Sequence, residues 1–156
     1  MDRPITGFEL DDEGDWVALL RCGHRQHVRH RPPLSIRSWV ESPEGRAGRI
    51  GTALACSRCD RRELPDDAVA YRSTPLFTEQ TIPAGLLDEH RTRAGVWGRI
   101  EVESGSLEYV CLEPATTRER LGPGDRATIV PEAAHRIAPI GPVRFRVTFL
   151  KMGAHR

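Results

Sequence analysis

The chain has 156 residues, of which 38 % are hydrophobic, and its formal net charge at pH 7 is +1. This length fits one ordinary domain or two small ones, and the near-neutral charge gives only weak support for a nucleic-acid partner. No apolar run approaches the ~18 residues that a transmembrane helix needs, and the opening residues, MDRPITGFELDDEGD, lack a signal-peptide pattern. We therefore expect a cytoplasmic protein without a membrane partner.

The first third of the chain predicts a β-hairpin and a short helix. Residues 5–20 read as ITGFEL, an acidic turn DDEGD with a glycine, and WVALL, which is typical of two antiparallel strands. Further on, SPEGRAGRIG predicts a helix that starts after Ser42, with Pro43 at its first position and Gly48 or Gly51 at its end.

Four side chains in the first sixty residues have the spacing of a zinc site. Cys22 and His24 form a Cys-x-His pair, and Cys56 and Cys59 form a Cys-x-x-Cys pair. Zinc takes four thiolate or imidazole ligands at tetrahedral angles, usually as two short-spaced pairs. A region of about 60 residues buries too little surface to be comfortably stable alone. We therefore predict a structural zinc ion that holds this region together.

Other assignments of these residues stay open. His27 or His30 could replace His24 as a ligand, but strand alternation turns His27 away and His30 lies well beyond Cys22 along the strand. A redox Cys-x-x-Cys normally opens a helix after a strand, whereas the polar run DRRELP after Cys59 does not predict one. A disulfide is disfavoured in a chain without a secretory signal.

Charge is segregated along this region. Residues 2–15 carry six acids and one Arg, and residues 21–37 carry five Arg and no acid. Arg25, Arg29 and Arg31 could contact phosphates of a nucleic acid, or they could pair with the acidic stretch. Because neither half of the chain is strongly basic, we regard nucleic acid as an unlikely partner.

The remaining residues predict a second, all-β domain. We place the boundary in the linker ELPDDAV, which gives a zinc-binding module at 1–64 and a β domain at 65–156. VWGRIEVESGSLEYVCLEP predicts two strands around a Ser-Gly-Ser turn, and LGPGDRATIVPE predicts a turn and a short strand. In PVRFRVTFLK, alternation places four apolar residues on one face, Val143, Phe145, Val147 and Phe149. Cys111 is expected to be a buried small hydrophobe. The fold class is mainly β, with a jelly roll in the second half.

Both halves resemble known families. The motifs PAGL, H-x-T-x-x-GVWG, G-x-L-x-Y, P-x-x-x-H and GPVRF occur in this order, and they resemble the small cupin domain found alone or at the N-terminus of tellurite-resistance methyltransferases of the TehB kind. This resemblance covers about residues 66–152 and implies a double-stranded β-helix. Residues 4–64 are similar to a small uncharacterised bacterial family marked by ITGF, GDWVA, CGH-x-QHVRH-x-PP and C-x-x-C.

The cupin resemblance implies an incomplete metal site. A typical metal-binding cupin supplies two His and a Glu from its first motif and one His from its second. His135 matches the second-motif ligand and His90 the first, while the other two positions fall near Thr92 and Gly98, which cannot ligate a metal. A second divalent metal at His90 and His135 would need water, a substrate or one of three carboxylates, Glu89, Glu101 or Glu132. Both histidines could instead be hydrogen-bonded pocket residues.

Three functions fit these patterns. The first is a metal-binding protein of the tellurite, metal or oxidative stress response, with a structural zinc and a cupin pocket for a small molecule or an anion, near Arg91 and Arg93. The second is a metal-dependent cupin enzyme of the oxygenase or isomerase class. The third is a nucleic-acid or protein adaptor that uses the Arg-rich module. We favour the first and assign no catalytic residue. Trp97 and Tyr109 are expected to be core or pocket aromatics, and a homodimer is expected by analogy with other cupins.

Overall fold

The structure is a computed structural model that describes residues 1–154. The chain divides into two compact units at about residue 59, whereas the linker pattern placed the boundary between residues 64 and 65. The division falls inside the Cys-x-x-Cys motif, and the first unit is described together with the whole of this motif. Strands dominate both units, as predicted for a mainly β chain. Among the described residues, every helix is too short or too polar to cross a membrane.

The first unit is built on a four-stranded antiparallel sheet with the order β3-β2-β1-β4. Its strands are β1 (Asp2–Leu10), β2 (Trp16–Leu20), β3 (Arg25–His27) and β4 (Ala53–Ala55). The predicted hairpin is confirmed, because β1 pairs with β2 from Leu10↔Trp16 onward. Gly14 in its turn has a φ angle of +81°, a conformation that glycine adopts without steric cost.

The segment between β3 and β4 crosses over with helical turns. A 3₁₀ turn at Ser38–Glu41 leads into the predicted helix, α1 (Pro43–Ala47). The Ser42 hydroxyl accepts a hydrogen bond from the Gly45 N–H, and Gly48 caps the other end, which decides between the two glycines that the sequence offered. The Arg46 guanidinium stacks 3.6 Å from the Trp16 ring centroid, so α1 packs against the hairpin. A further short helix, α2 (Ser57–Asp60), follows β4 directly.

The second unit is organised around two long strands. Its elements are β5 (Ala68–Ser73), β6 (Phe77–Thr78), α3 (Ala84–Leu87), β7 (Trp97–Cys111), β8 (Thr117–Leu121), β9 (Arg126–Ile129) and β10 (His135–Met152). β10 pairs antiparallel with β7 along nearly its whole length. The other edge of β10 carries β5 and β6, and the other edge of β7 carries β8 and β9. The predicted alternation is confirmed for Val143, Phe145 and Val147, which are all buried in the core.

The predicted hairpin around Ser104-Gly105-Ser106 is wrong. These residues lie inside β7, and its two halves pair with different strands: residues 98–101 with β9 and residues 107–111 with β8. Gly105 has a φ angle of +73°, and the register of β10 shifts opposite it, between Ile140 and Val143. The glycine therefore marks a bend that both long strands share, which is a known use of glycine inside a strand.

Replacing Gly105 should destabilise the second unit more than replacing the other glycine of the same bend. A Cβ at Gly105 would lie 2.0 Å from the Pro142 carbonyl oxygen, whereas a Cβ at Gly141, with φ +67°, would meet nothing within 4 Å. We expect Gly105→Ala to lower the free energy of unfolding by about 3 kcal/mol, since backbone strain and a clash combine. Gly141→Ala should cost about 1 kcal/mol from strain alone. Hydrogen exchange of β7 and β10 amides measures both, and equal losses would contradict the bend.

Candidate metal centre and ligand cavity

The four predicted zinc ligands lie together in the structure. Cys22, His24, Cys56 and Cys59 are each no more than 2 % exposed, and one ligand atom from each lies within 4.8 Å of the others. Buried thiols and imidazole that converge in this way form a potential metal-binding site.

The first ligand pair is positioned by the tight turn between β2 and β3. Gly23, at φ +95°, donates its N–H to the Leu20 carbonyl at 2.8 Å, and the Leu20 N–H bonds back to the His24 carbonyl at 3.0 Å. The turn therefore closes within four residues. This closure places the Cys22 sulfur 3.5 Å from His24 Nδ1.

The second pair follows β4 on the other side of β1. The Cys56 N–H donates to the Met1 carbonyl at 2.8 Å, and the Arg21 N–H donates to the Pro4 carbonyl at 3.0 Å. Because β1 lies between β2 and β4, these bonds bring the turn after β2 and the end of β4 to the same end of the sheet. Cys59 lies on α2, one turn after Cys56.

The distances fit a tetrahedral zinc ion. Bonds of about 2.3 Å to sulfur and about 2.0 Å to nitrogen separate neighbouring ligand atoms by roughly 3.5–3.8 Å. His24 Nδ1 lies 3.3 Å from the Cys56 sulfur, and the sulfurs of Cys22 and Cys56 are 4.0 Å apart. A disulfide would need about 2.05 Å between the sulfurs, so the separation of the Cys22 and Cys56 sulfurs does not fit one. Three thiolates and one imidazole are a donor set that zinc favours.

The other two histidines of this region lie outside the cluster. His27 is exposed on β3, with its Nε2 2.7 Å from a carboxylate oxygen of Asp11. The ring Nδ1 of His30 accepts the Arg37 backbone N–H at 2.9 Å. Both side chains therefore take part in local contacts, and the structure brings His24, rather than either of them, to the cysteines.

One sequence argument against redox chemistry needs correction. We expected no strand and helix around the Cys-x-x-Cys pair, yet β4 ends at Ala55 and α2 spans Ser57–Asp60. This helix is a single turn of four residues, and three of them belong to the Cys-x-x-Cys motif. The contacts of Cys56 with Cys22 and His24 still favour a metal over a redox pair.

The arginines of the first unit pair with its acidic stretch. Arg25 forms an ion pair with Glu9, and Arg29 Nε lies 2.7 Å from an Asp15 carboxylate oxygen. Arg31 lies 3.9 Å from the same oxygen. These ion pairs neutralise the positive charge that a phosphate would need. The geometry therefore favours pairing with the acidic stretch over contact with a nucleic acid.

The two histidines of the cupin resemblance, His90 and His135, contact each other in the second unit. An isolated antiparallel bridge joins His90 and His135, with backbone bonds of 2.9 and 3.0 Å. His90 Nδ1 lies 3.3 Å from His135 Nε2, and His135 Nδ1 lies 3.0 Å from the Ala133 carbonyl oxygen. Since a carbonyl only accepts, neutral His135 carries its proton on Nδ1 and turns the lone pair of Nε2 towards His90. Burial lowers the pKa of His135, although the Ala133 carbonyl acts in the opposite direction.

No third protein ligand joins this pair among residues 1–154. In that range, the two groups of three or more potential ligands are the cysteine–histidine cluster and the exposed acids Asp11, Glu13 and Asp15. The Thr92 hydroxyl donates to the Val96 carbonyl at 2.7 Å. A side chain at Gly98 would meet Ile129 at 2.9 Å.

Of the three residues proposed to complete the metal site, two form ion pairs through their carboxylates and the third is bonded through its backbone carbonyl. Glu89 pairs with Arg91, and Glu101 lies between Arg99 and Arg126. Glu132 has a φ angle of +62° and its carbonyl accepts from Arg91 at 3.0 Å. A metal at the two histidines would therefore depend on water or substrate for its remaining ligands.

Two neighbouring chambers with shared lining residues adjoin the histidines. The inner chamber has a volume of about 280 Å³ and includes His135 and a mainly apolar wall. The outer chamber measures about 370 Å³ and is lined by more polar residues, Arg91 and Arg93 among them. Four residues line both chambers: Arg72, His90, Thr92 and Phe149.

The arginines differ in their availability to a ligand. The Arg91 guanidinium makes two bonds of 2.6 and 2.8 Å to Glu113 and one of 2.9 Å to Glu89, so it is already neutralised. Arg93 also lines the outer chamber. Arg72 lines both chambers, and sequence analysis missed it because an exposed arginine on a strand has no distinguishing pattern.

The predicted aromatic residues belong to the core. Trp97 is fully buried and Tyr109 is 1 % exposed. The Tyr109 ring centroid lies 6.0 Å from that of His135, and its hydroxyl donates to the Thr128 carbonyl at 3.4 Å. Burial, together with the neighbouring Cys111, raises the pKa of Tyr109. Cys111 is buried, as expected.

Two family models match the chain. Residues 6–63 match a family described as a protein of unknown function, DUF3565, and residues 72–147 match the TehB-like domain. The uncharacterised protein YeaR of Escherichia coli K12 is 31 % identical over 83 residues, which are 48 % of this chain and 70 % of YeaR. The probable S-adenosyl-L-methionine-dependent methyltransferase TehB of Haemophilus influenzae is 26 % identical over 46 residues, 30 % of this chain and 16 % of TehB.

Solved structures show the same fold for the second unit. The crystal structure of TehB from H. influenzae superposes with a TM-score of 0.52 at 21 % identity, covering 56 % of this chain and 32 % of that one. A crystal structure of a protein from E. coli K12 gives a TM-score of 0.54 at 27 % identity, covering 59 % and 98 %. The second unit is thus a TehB-like β domain, in agreement with the resemblance. The chain spans about a third of the TehB structure, so the likeness concerns one part of that protein.

His135 should titrate below the ordinary pKa of histidine, 6.5. Because the unfolded chain binds this proton more readily than the folded chain, stability should be retained at neutral pH and fall as the pH decreases through about 6.5. An NMR titration of the His135 ring measures the shift directly. A His135 midpoint at or above 6.5 would contradict the burial argument.

Proposed function

Because this chain belongs to the TehB-like family and carries a DUF3565 region ahead of that domain, we propose that it is a metal-binding protein of the cellular response to tellurite or other metal or oxidative stress. In this proposal a structural zinc ion holds the first unit together. The cavity of the second unit binds a small molecule. The observation that carries the proposal is the buried cluster of Cys22, His24, Cys56 and Cys59.

The zinc ion would supply a cross-link rather than a reactive centre. Its four protein ligands leave no open position for water or a substrate, which is typical of structural sites. The ion would tie the β2–β3 turn to the segment after β4, and the strands so joined, β3 and β4, have only three residues each. In small modules of this kind the free energy of metal binding is largely free energy of folding.

The stress-response role is supported by the TehB-like match and by the chemistry of the cluster. The methyltransferase name belongs to the whole of TehB, of which the matched segment is 16 %, so we carry over the domain and not the methyl transfer. Cysteine thiols stay reduced, and so available for metal, in a reducing compartment, and we therefore propose a cytoplasmic setting.

The spacing of the cavity histidines favours a second candidate, a metal-dependent cupin enzyme of the oxygenase or isomerase class. His90 Nδ1 and His135 Nε2 are 3.3 Å apart, which is about the separation of two nitrogen ligands on one tetrahedral metal ion. Such an ion would keep open positions for water and a substrate, as catalytic metal sites do. The two candidates differ in metal content, because the enzyme needs a second metal ion per chain.

Metal stoichiometry tests the proposal. We expect one zinc per chain in the purified protein, measured by element-resolved mass spectrometry without added chelator. Cys59→Ser should weaken zinc binding more than about 100-fold, because even the loss of a residue that hydrogen-bonds to a metal ligand weakens binding up to about 100-fold. The loss of zinc should unfold the first unit. His135→Ala should keep the zinc. Cys111→Ser, which changes a buried cysteine outside the cluster, is the matched control and should also keep it.

Two outcomes of the metal analysis would contradict this proposal. A zinc-free protein that takes up no zinc in a titration would contradict the structural metal. A second metal equivalent that is lost in His135→Ala, while zinc stays at the cysteines, would favour the cupin enzyme instead.

A further inference from the structure

Apart from Arg72, which lines both chambers, the polar groups of the inner chamber are already hydrogen-bonded within the protein. The Thr92 hydroxyl donates to the Val96 carbonyl. The Thr74 hydroxyl donates to the Pro75 carbonyl at 2.9 Å and accepts the Val147 N–H at 3.0 Å. His135 is satisfied by the Ala133 carbonyl and by His90. A ligand in this chamber therefore finds few free polar partners.

The walls of the inner chamber are mainly apolar. They include Phe77, Leu86, Ile129, Val147 and Phe149, which lie on strands β6, β9 and β10 and on α3. Apolar ligand surface placed against these side chains is removed from water, which favours binding. This end of the cavity is therefore suited to a hydrocarbon body.

The mouth of the cavity carries positive charge without a carboxylate partner. Within residues 1–154, the guanidinium groups of Arg72 and Arg93 make no ion pair, in contrast to Arg91, whose charge is used by Glu113 and Glu89. Arg72 lines both chambers and Arg93 the outer one. An anionic group at the outer end could thus bond to these arginines, and a guanidinium pairs best with a planar carboxylate.

From this arrangement we propose that the cavity binds a small monocarboxylate with an apolar body, the carboxylate at Arg72 and Arg93 and the body in the inner chamber. The inference rests on the proposed role of the cavity as a ligand pocket and specifies its ligand class. A cavity of about 150 Å³ accommodates benzene, so the 280 Å³ of the inner chamber suits a chain or ring system of roughly six to ten carbons.

The inner end is unsuited to the charged group. His135 is 2 % exposed, and its Nδ1 proton is held by the Ala133 carbonyl. A carboxylate placed there would therefore lose its hydration without gaining a free hydrogen-bond donor from this ring. Charge at the mouth and hydrocarbon inside therefore set one orientation.

Isothermal titration calorimetry of the zinc-loaded full chain with octanoate tests this assignment. Octanol has the same body without the charge, octylamine reverses the charge, and acetate lacks the body. We expect octanoate to bind about tenfold more tightly than octanol, with octylamine and acetate weaker still. Raising the salt concentration should narrow the advantage of octanoate, because exposed charges are screened.

Substitutions of single arginines test which of them binds the carboxylate. Arg72→Gln should weaken octanoate binding about five- to tenfold, as for a partly exposed ion pair, and leave octanol binding unchanged, which shows that the cavity is intact. Arg93→Gln should have a smaller effect in the same direction. Arg146→Gln is the matched control: it removes an exposed arginine on β10 that faces away from the cavity-lining Val147, and it should change neither affinity.

Each contrary outcome is informative. Octanol or octylamine binding as tightly as octanoate, or an unchanged octanoate affinity in both Arg72→Gln and Arg93→Gln, would overturn the carboxylate assignment and leave the small-ligand pocket in place. If none of the eight-carbon probes binds, both the assignment and the pocket fail, while the zinc site of the first unit is unaffected.

Discussion

The pairing of β7 with β10 is the constraint on which the second unit depends. It runs from His135↔Cys111 to Leu150↔Trp97, and the four other strands of the unit attach to these two. The same register places His135 at the start of β10, with Val147 and Phe149 further along the cavity wall. A slip of one residue would turn each of these side chains to the opposite face. The cavity is thus a consequence of strand register, and the shared bend at Gly105 lets both long strands curve together around it.

The first unit depends on a different kind of constraint. Its strands are short, and its buried side chains are few enough that the ligand cluster is a large part of its interior. Spacing along the chain brings Cys22 to His24 and Cys56 to Cys59, because each pair lies within one turn. The meeting of the two pairs is a tertiary event, since it requires β1 to lie between β2 and β4 and to bond to both neighbours at Pro4 and Met1. Metal binding would therefore stabilise a strand order that the spacing of the ligands along the chain does not specify.

Sequence patterns predicted the elements that depend on local chemistry. The β1–β2 hairpin, the Ser42 cap of α1 and the alternation along β10 follow from turn residues, a capping side chain and a period of two. The Ser-Gly-Ser segment was misassigned because glycine with a positive φ angle serves equally in a hairpin turn and in a bend within one strand. What distinguishes the two is long-range: β8 and β9 occupy the edge of β7, so its halves cannot pair with each other.

The candidate sites were predictable to different extents for the same reason. Thiolate and imidazole at short spacing identify a metal cluster from sequence, and the cupin resemblance identified His90 and His135. Which arginine of the cavity is available to a ligand was not predictable, because it depends on the carboxylates that pair with each one. Arg91, one of two arginines considered for an anion, lines the outer chamber but is held by Glu113 and Glu89. Arg72, which had no sequence signal, lines the cavity without such a partner. Ion pairing depends on neighbours that are distant in the chain.

The two candidates for the cavity differ in where one proton lies. Since His135 carries its proton on Nδ1, next to the Ala133 carbonyl, its Nε2 lone pair faces His90 in either case. If His90 is protonated on Nδ1, it donates across the 3.3 Å gap and the pair is satisfied without a metal. If His90 is protonated on Nε2, two lone pairs face each other, an arrangement that repels unless a cation lies between them. A ligand held by the arginines and the apolar wall leaves the first state undisturbed, whereas a metal ion requires the second. The tautomer of His90 therefore separates a binding protein from a metal-dependent enzyme within one cavity.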